Sequence, residues 1–285
     1  MIEVTPTPEE TAQECFEAEN LNRAVEAVQK DGFVVINNVI DHAHLDILRE
    51  RMEADLVKVK ALPIVPHNFV WGNIQQDPPP QAEFVFRDVV ANPFVCQVTS
   101  TMLGAGAFNS YMSGNSNVPG SNLQRVHVDA GQLWPNLKTA HPVARLAVNL
   151  ALDDTTVENG AIELWPGSHL DTRKAVGQNL PLTDADLDGQ RAIAAPVAGT
   201  ARKGSFLLRD LRLWHRGTPN VSDATRFMIA MIHNVGWYKR TCRFDLDKAC
   251  APVFEGCPIE NAIPLVDVPS DHIGRNSAYD YDGPN

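Results

Sequence analysis

The chain has 285 residues, 44% hydrophobic and 21% charged, enough apolar material to bury a full core in one large domain or two small ones. Its formal net charge is −11 with no block of lysine and arginine, which repels nucleic acid and leaves a small molecule as the expected partner. No run of about 18 apolar residues offers a membrane-spanning helix.

Residues 1–20 are acidic, lack an apolar signal core and read as a loose tail, so a cytoplasmic location is expected rather than secretion. Residues 21–30 (LNRAVEAVQK) carry apolar side chains at helical spacing and are stopped by Asp31-Gly32. FVVINNVI (33–40) is short and β-branched, a strand. Asp41 is placed to cap a following helix in which Leu45, Leu48, Met52 and Leu56 recur at helical spacing. Residues 61–81 (ALPIVPHNFVWGNIQQDPPPQ) mix prolines, glycine and amides with apolar residues and read as a long loop, the kind that forms lids or binding walls.

From about residue 84 the text changes to short β-rich stretches: ARLAVNLAL (144–152), AIELW (161–165), GSFLLRDLRLWH (204–215) and RFMIAMIHNVGWY (226–238). The turn signals ENG, PGS and GTPN separate them, which predicts a mainly β fold, a sandwich or barrel, with flanking helices. The domain reads as one unit, with 21–235 as its core and 236–285 as an extension. That extension is poorly patterned and reads as a surface wrap, with a lid or a homo-oligomer contact as the other readings. Five cysteines (Cys15, Cys96, Cys242, Cys250, Cys257) lack Cys-x-x-Cys spacing and fit reduced thiols. The last three lie close together, but their spacings are wrong for a structural zinc knuckle.

His-x-Asp occurs three times, at His44/Asp46, His127/Asp129 and His169/Asp171. One accidental match is expected among nine histidines, so spacing alone is weak. His44 and Asp46 fall inside a helix, where positions i and i+2 diverge by roughly 200°, so they cannot share an ion. His169 and Asp171 follow Trp-Pro-Gly-Ser and read as a turn leaving a strand. His127 and Asp129 are flanked by Val126 and Val128, and alternation puts the two ligand side chains on one face of a strand. Such a strand presents two of the three ligands of a 2-His-1-carboxylate metal site. An ordinary core histidine beside a surface aspartate is the competing reading. In LRLWHRGTPNVSDATRFMIAM, Leu211, Leu213 and His215 alternate, so His215 can end a strand pointing inward. Arg226 opens the next strand eleven residues later, and a guanidinium entering an apolar strand needs an anion. A small dicarboxylate suits it, one end on a metal and the other paired with Arg226.

With these residues in place, the chain resembles the phytanoyl-CoA dioxygenase-like family of iron(II)/2-oxoglutarate oxygenases. DGFVVINNVI followed by a helix, LALDDTTVENGAIELWPGSH and HRGTPNVSDATR match the family's order and spacing over about residues 21–235. The resemblance implies a double-stranded β-helix (a jelly roll, cupin-like), with Fe(II) held by His127, Asp129 and His215. It implies that Arg226 binds the C5 carboxylate of 2-oxoglutarate, with Gln124 and Asn149 near that cosubstrate and O₂ as the second cosubstrate. Strict alternation, however, turns Gln124 away from His127. Relatives with a hydroxyl residue after ENG are not matched, since Ala161 and Ile162 stand there. Relatives that halogenate lack the carboxylate; Asp129 is present, which favours oxygenation. His169 also matches a family position, as a capping or supporting histidine rather than a ligand. His67, His141 and His233 read as ordinary loop or strand histidines.

The expected reaction is oxidation, by default hydroxylation, of a C–H bond of a small, mostly apolar metabolite of a biosynthetic pathway, with release of succinate and CO₂. Phe69, Trp71, Asn73, Gln75, Tyr111 and Trp134 are candidate substrate walls, with ordinary packing as the competing reading for each. No basic patch for coenzyme A is apparent, which weighs against an acyl thioester. Two other classes fit the fold: a non-catalytic jelly-roll binding protein, and a zinc-dependent hydrolase or isomerase using the same triad. The joint presence of three ligands and Arg226 argues against both.

Overall fold

Local sequence signals set the first elements of the computed structural model, which describes residues 1–173 and 182–283. β1 (Glu3–Val4) and α1 (Pro8–Gln13) lead into α2 (Ala18–Asp31), β2 (Phe33–Ile36) and α3 (His42–Lys60). A hairpin of β3 (His67–Asn68) and β4 (Val70–Gln75) precedes α4 (Arg87–Val90), α5 (Pro93–Leu103) and the long strand β5 (Phe108–Asn117). Then come β6 (Arg145–Ala151), β7 (Glu163–Leu164), α6 (Asp184–Ile193), β8 (Val197–Ala198), β9 (Phe206–Asp210), β10 (His215–Arg216) and β11 (Arg226–Asn234). β12 (Leu246–Asp247), β13 (Glu260–Asn261) and β14 (Leu265–Val266) follow. Asp41 caps α3 as expected, its side chain accepting from the Ala43 N–H. Gly32 ends α2 at φ 90°, and a Cβ there would collide with Leu213 and His169.

The large sheet is mixed and runs β1-β2-β9-β6-β11-β5-β4-β3, with β13 parallel to β5; a small three-stranded sheet runs β10-β7-β8, and β12 and β14 form a separate parallel pair. Period-two alternation gives the large sheet two unlike faces. In β6, Leu146, Val148 and Leu150 enter the apolar core with Val28, Leu45, Met52 and Val98 of the flanking helices, while Arg145, Ala147, Asn149 and Ala151 line a cavity. β11 repeats the pattern, Phe227, Ile229 and Met231 inward to the helices and Arg226, Met228, Ala230 and Ile232 toward the cavity. Each fully buried leucine contributes about 1.5–3 kcal/mol relative to exposure. No helix among the described residues is long and apolar enough to cross a membrane.

Four expectations need correction. Residues 1–20 are not a loose tail: Glu3–Val4 pairs with β2, and a capping box at Thr7 and Glu10 opens α1. Residues 61–81 are not simply a loop, since β3 and β4 extend the large sheet beside β5. The region after residue 84 also contains α5, which Asn92 caps, Pro93 starts and Gly104 ends. Residues 204–215 are not one strand. Arg212 donates to both carboxylate oxygens of Asp210, and the Leu213 N–H bonds back to the Asp210 carbonyl, so the chain turns and crosses to the small sheet.

The five cysteines are free thiols, and Cys242, Cys250 and Cys257 do not converge into a metal group among the described residues. The segment after β11 packs on its own domain: Phe244, Leu246, Ile259 and Ile263 belong to the main core. His272 of this segment reaches Asp55 of α3, which is fully buried and also accepts from Arg51 Nε at 2.7 Å and Lys58 Nζ at 2.8 Å. Burial alone would raise the Asp55 carboxyl; the bonds from Lys58, His272 and Arg51 outweigh it and hold the group below its ordinary range. A depressed folded pKa gives stability that is complete above the unfolded value of about 3.9 and is lost as pH falls through the folded one. Asp55→Ala should therefore cost about 2–3 kcal/mol in urea unfolding at pH 7, and the gap to the parent should narrow below about pH 4. Equal midpoints at pH 7 would mean this cluster does not fasten the C-terminal segment.

Candidate metal centre and its cavity

The two histidines meet through their backbones before their side chains. His127 N–H donates to the His215 carbonyl at 2.9 Å and His215 N–H to the His127 carbonyl at 3.0 Å, an isolated antiparallel bridge. Gln124 to Gly217 and Ala130 to Leu211 continue the pairing on either side. The expected strand at residues 126–129 is thus only a bridge followed by a bend. Val126 goes to Trp165 and Trp214 and His127 and Asp129 face the cavity as expected, but Val128 touches both, packing on that cluster and lining the cavity as well.

His127 Nε2 lies 3.9 Å and His215 Nε2 3.5 Å from the same oxygen, Asp129 Oδ1, and one ligand atom from each residue lies within 4.8 Å of the others. Both Nδ1 atoms face backbone carbonyls, Arg125 at 3.0 Å for His127 and Leu213 at 2.9 Å for His215. A ring nitrogen facing a carbonyl must carry the proton, so each Nε2 keeps its lone pair for the centre of the triad. Burial pushes both imidazoles below their ordinary range, His215 further. Burial would raise Asp129, but Arg209, then His215 and His127, reverse that and keep it ionised. Two neutral imidazoles and one carboxylate converging on one point fit a divalent iron with one face left open.

Arg209 was not singled out by sequence. Its Nη2 donates to Asp129 Oδ2 at 2.6 Å and its Nε to Asn149 Oδ1 at 3.2 Å, so Asp129 turns Oδ1 to the histidines. The signal was present in LLRD, because a guanidinium in an apolar strand needs an anion there as much as at Arg226.

A cavity of about 520 Å³ opens beside the triad. Arg226 lines it from the head of β11, with Nε lacking any hydrogen-bond partner and no carboxylate paired with it among the described residues. Burial lowers its pKa to about 10, so it stays charged at neutral pH. Asn149 and Gln124 line the same cavity. Gln124 is engaged at both ends, accepting from Gly217 N–H at 2.7 Å and donating to the Asn68 carbonyl at 3.1 Å.

Of the expected substrate walls, Phe69, Asn73, Gln75 and Tyr111 line the cavity. The Phe69 ring lies 4.5 Å from that of His127. Trp71 and Trp134 do not: Gly72 at φ 83° breaks the alternation that would have aligned Trp71 with Asn73, and Trp134 packs on His141 and Trp237. His44 pairs with Asp88, and Asp46 with Lys203, far from any metal geometry. His169 Nε2 donates to the Gln29 carbonyl at 3.1 Å, near the end of α2, which is a capping contact. His67, His141 and His233 each bond locally, to Gly72, Leu133 and Thr99 respectively.

Comparisons with known proteins agree with this geometry. Residues 28–228 match the family described as phytanoyl-CoA dioxygenase (PhyH). Phytanoyl-CoA dioxygenase domain-containing protein 1 of Danio rerio is 35% identical over 126 residues, which is 39% of this chain and 40% of that protein. Dioxygenase af480 of Aspergillus fumigatus is 28% identical over 146 residues, 50% of this chain and 42% of that protein. The matches therefore span well under two thirds of these relatives. The crystal structure of SnoK, a non-heme alpha-ketoglutarate-dependent carbocyclase from nogalamycin biosynthesis, superimposes with a TM-score of 0.56. It is 23% identical, over 77% of this chain and 84% of that one, and so supports the fold.

His127→Ala or His215→Ala should abolish Fe(II) binding in anaerobic calorimetric titration, and Asp129→Ala should weaken it severely. Arg209→Ala, which frees the second carboxylate oxygen, should weaken it about 10–100-fold. His44→Ala should match the parent. Parent-like affinity in any of the three triad variants would mean that the metal binds elsewhere.

Proposed function

The chain belongs to the phytanoyl-CoA dioxygenase family, and from that premise we propose that it is an Fe(II)- and 2-oxoglutarate-dependent oxygenase that oxidises a C–H bond of a small biosynthetic metabolite. The observation that carries the reading is the sharing of one cavity by a His-Asp-His triad and a buried arginine that no carboxylate among the described residues pairs with. In this reading the two sheets form a double-stranded β-helix, with 21–235 as the core, and the protein works in the cytoplasm. A hydrolase using zinc in the triad would leave Arg226 with no anion to bind.

Held at the triad, Fe(II) supplies the oxidative chemistry, in which O₂ and 2-oxoglutarate are converted with the substrate to oxidised product, succinate and CO₂. The remaining roles belong to the chain. His127, Asp129 and His215 would hold the metal, and their side chains line the same cavity that would receive the cosubstrates. The backbone carbonyls of Arg125 and Leu213 keep both imidazoles neutral at Nε2. Arg209 and Asn149 hold Asp129 in register with the histidines. Arg226 pairs with the C5 carboxylate of 2-oxoglutarate and so fixes which end of the diacid reaches the metal. Phe69 packs against the His127 ring and shields it from bulk water.

Truncating one partner of a buried charge pair costs about 2–5 kcal/mol. Arg226→Ala should therefore raise the 2-oxoglutarate requirement about 30-fold or more, at about 1.4 kcal/mol per tenfold, with Fe(II) affinity unchanged. Arg226→Lys should recover part of the loss, since it restores the charge without the fork. Titration of succinate release with 2-oxoglutarate checks this, and a parent-like curve for Arg226→Ala would remove the cosubstrate assignment.

A further inference from the structure

The cavity wall is more polar and more cationic than the aromatic loop suggested. Its only acidic lining residue among those described is Asp129, which Arg209 already neutralises. Besides Arg226 and Arg209, two further arginines line it, Arg145 and Arg243. A second cavity of about 300 Å³ continues from the first, sharing Tyr111, Arg145, Ile232 and Arg243 with it and adding Lys239 but no acid. Arg145 and Arg243 thus stand where the two cavities join, with Lys239 on the wall of the second, in a chain with 35 acidic against 24 basic residues. No carboxylate pairs with any of the three among the described residues.

Arg145 is held ready rather than loose. Its Nε donates to Asn234 Oδ1 at 3.1 Å, and its guanidinium lies over the Tyr238 ring at 4.7 Å. Asn234 is itself buried and anchored to the Ser110 hydroxyl at 3.0 Å. An arginine oriented by a neutral amide and an aromatic face keeps its terminal N–H groups for an anion.

The ladder gives the distances. Asn149, which shares Arg209 with Asp129, pairs with Ala230. Arg226 lies four residues from Ala230 in one direction; Asn234, paired with Arg145, lies four in the other. Arg226 and the Arg145–Asn234 pair thus lie eight residues apart along β11, roughly 26 Å at about 3.3 Å per residue, with Asn149 and Arg209 paired between them.

We propose that the substrate carries an anionic group, of carboxylate or phosphate type, bound by Arg145 and Arg243 with Lys239 at the end of the cavity opposite Arg226. This rests on the oxygenase reading above, in which Arg226 is taken by 2-oxoglutarate. The bound anion orients the substrate lengthwise and so selects which carbon faces the metal. Lys239 and Arg243 are close in sequence, but Arg145 lies far from them and joins them only through the fold.

The test uses two fluorescent probes that differ only in charge, 8-anilinonaphthalene-1-sulfonate and neutral N-phenyl-1-naphthylamine. The full-length protein is loaded anaerobically with Fe(II) and saturating 2-oxoglutarate. The sulfonate should bind, and Arg145→Gln/Arg243→Gln should weaken it at least tenfold while changing the neutral probe less than twofold. Displacement by decanoate against decyl phosphate then separates a carboxylate site from a phosphate site, with methyl decanoate as the neutral control. Failure of the sulfonate to bind, equal losses for both probes, or displacement by the neutral ester as effective as by the acids would each overturn the proposal. A separate titration of 2-oxoglutarate should be the same in parent and double variant. Loss of cosubstrate binding in the parent would instead defeat the oxygenase reading.

Discussion

Alternation along β6, β9 and β11 is the constraint on which the site depends. A strand sends successive side chains to opposite faces, so each of these strands serves the helix-packed core and the cavity at once. Leu146, Val148 and Leu150 anchor β6, and that anchoring fixes where Arg145 and Asn149 must point. A one-residue slip would exchange the two sets and bury arginine against the helices. The polar wall is therefore held in place by the apolar one.

The triad adds a second layer to the same logic. Neither histidine sits within a long strand; a two-residue bridge joins them, and the crossing turn at Asp210 and Arg212 delivers His215 to the small sheet. Arg209 comes from the end of β9, just before that crossing, and ties Asp129 back to the large sheet. The triad thus lies where the two sheets meet, with Asp129 braced from the large sheet and the two histidines fixed by the bridge. The cations follow from that position, since Arg226, Arg209 and Arg145 all belong to the cavity face of the large sheet.

Much of this was legible in the residues. The valines flanking His127 announced alternation, the helix around His44 excluded its own His-x-Asp, and Arg226 stood out as a charge in an apolar strand. What escaped had physical reasons. Phe69 and Gly72 adopt positive φ, so the period-two reading of residues 69–75 failed at Trp71. The break at Asp210 depends on a side-chain pair within a stretch that otherwise alternates like a continuous strand. α5 was signalled by its caps, but its apolar run was absorbed into the β-rich text around it. Arg145, Lys239 and Arg243 become neighbours of one cavity only through the pairing of β6 with β11 and the fold-back of the chain after β11.

The central claim is that one cavity holds a metal on His127, Asp129 and His215 and a 2-oxoglutarate molecule whose far carboxylate rests on Arg226. A crystal structure of the protein with Mn(II), as an unreactive substitute for iron, and 2-oxoglutarate tests it most directly. The account expects the metal between His127 Nε2, Asp129 Oδ1 and His215 Nε2, and the C5 carboxylate in a two-pronged pair with the Arg226 guanidinium. A metal bound away from these three atoms, or a diacid lying with neither end on Arg226, would contradict it.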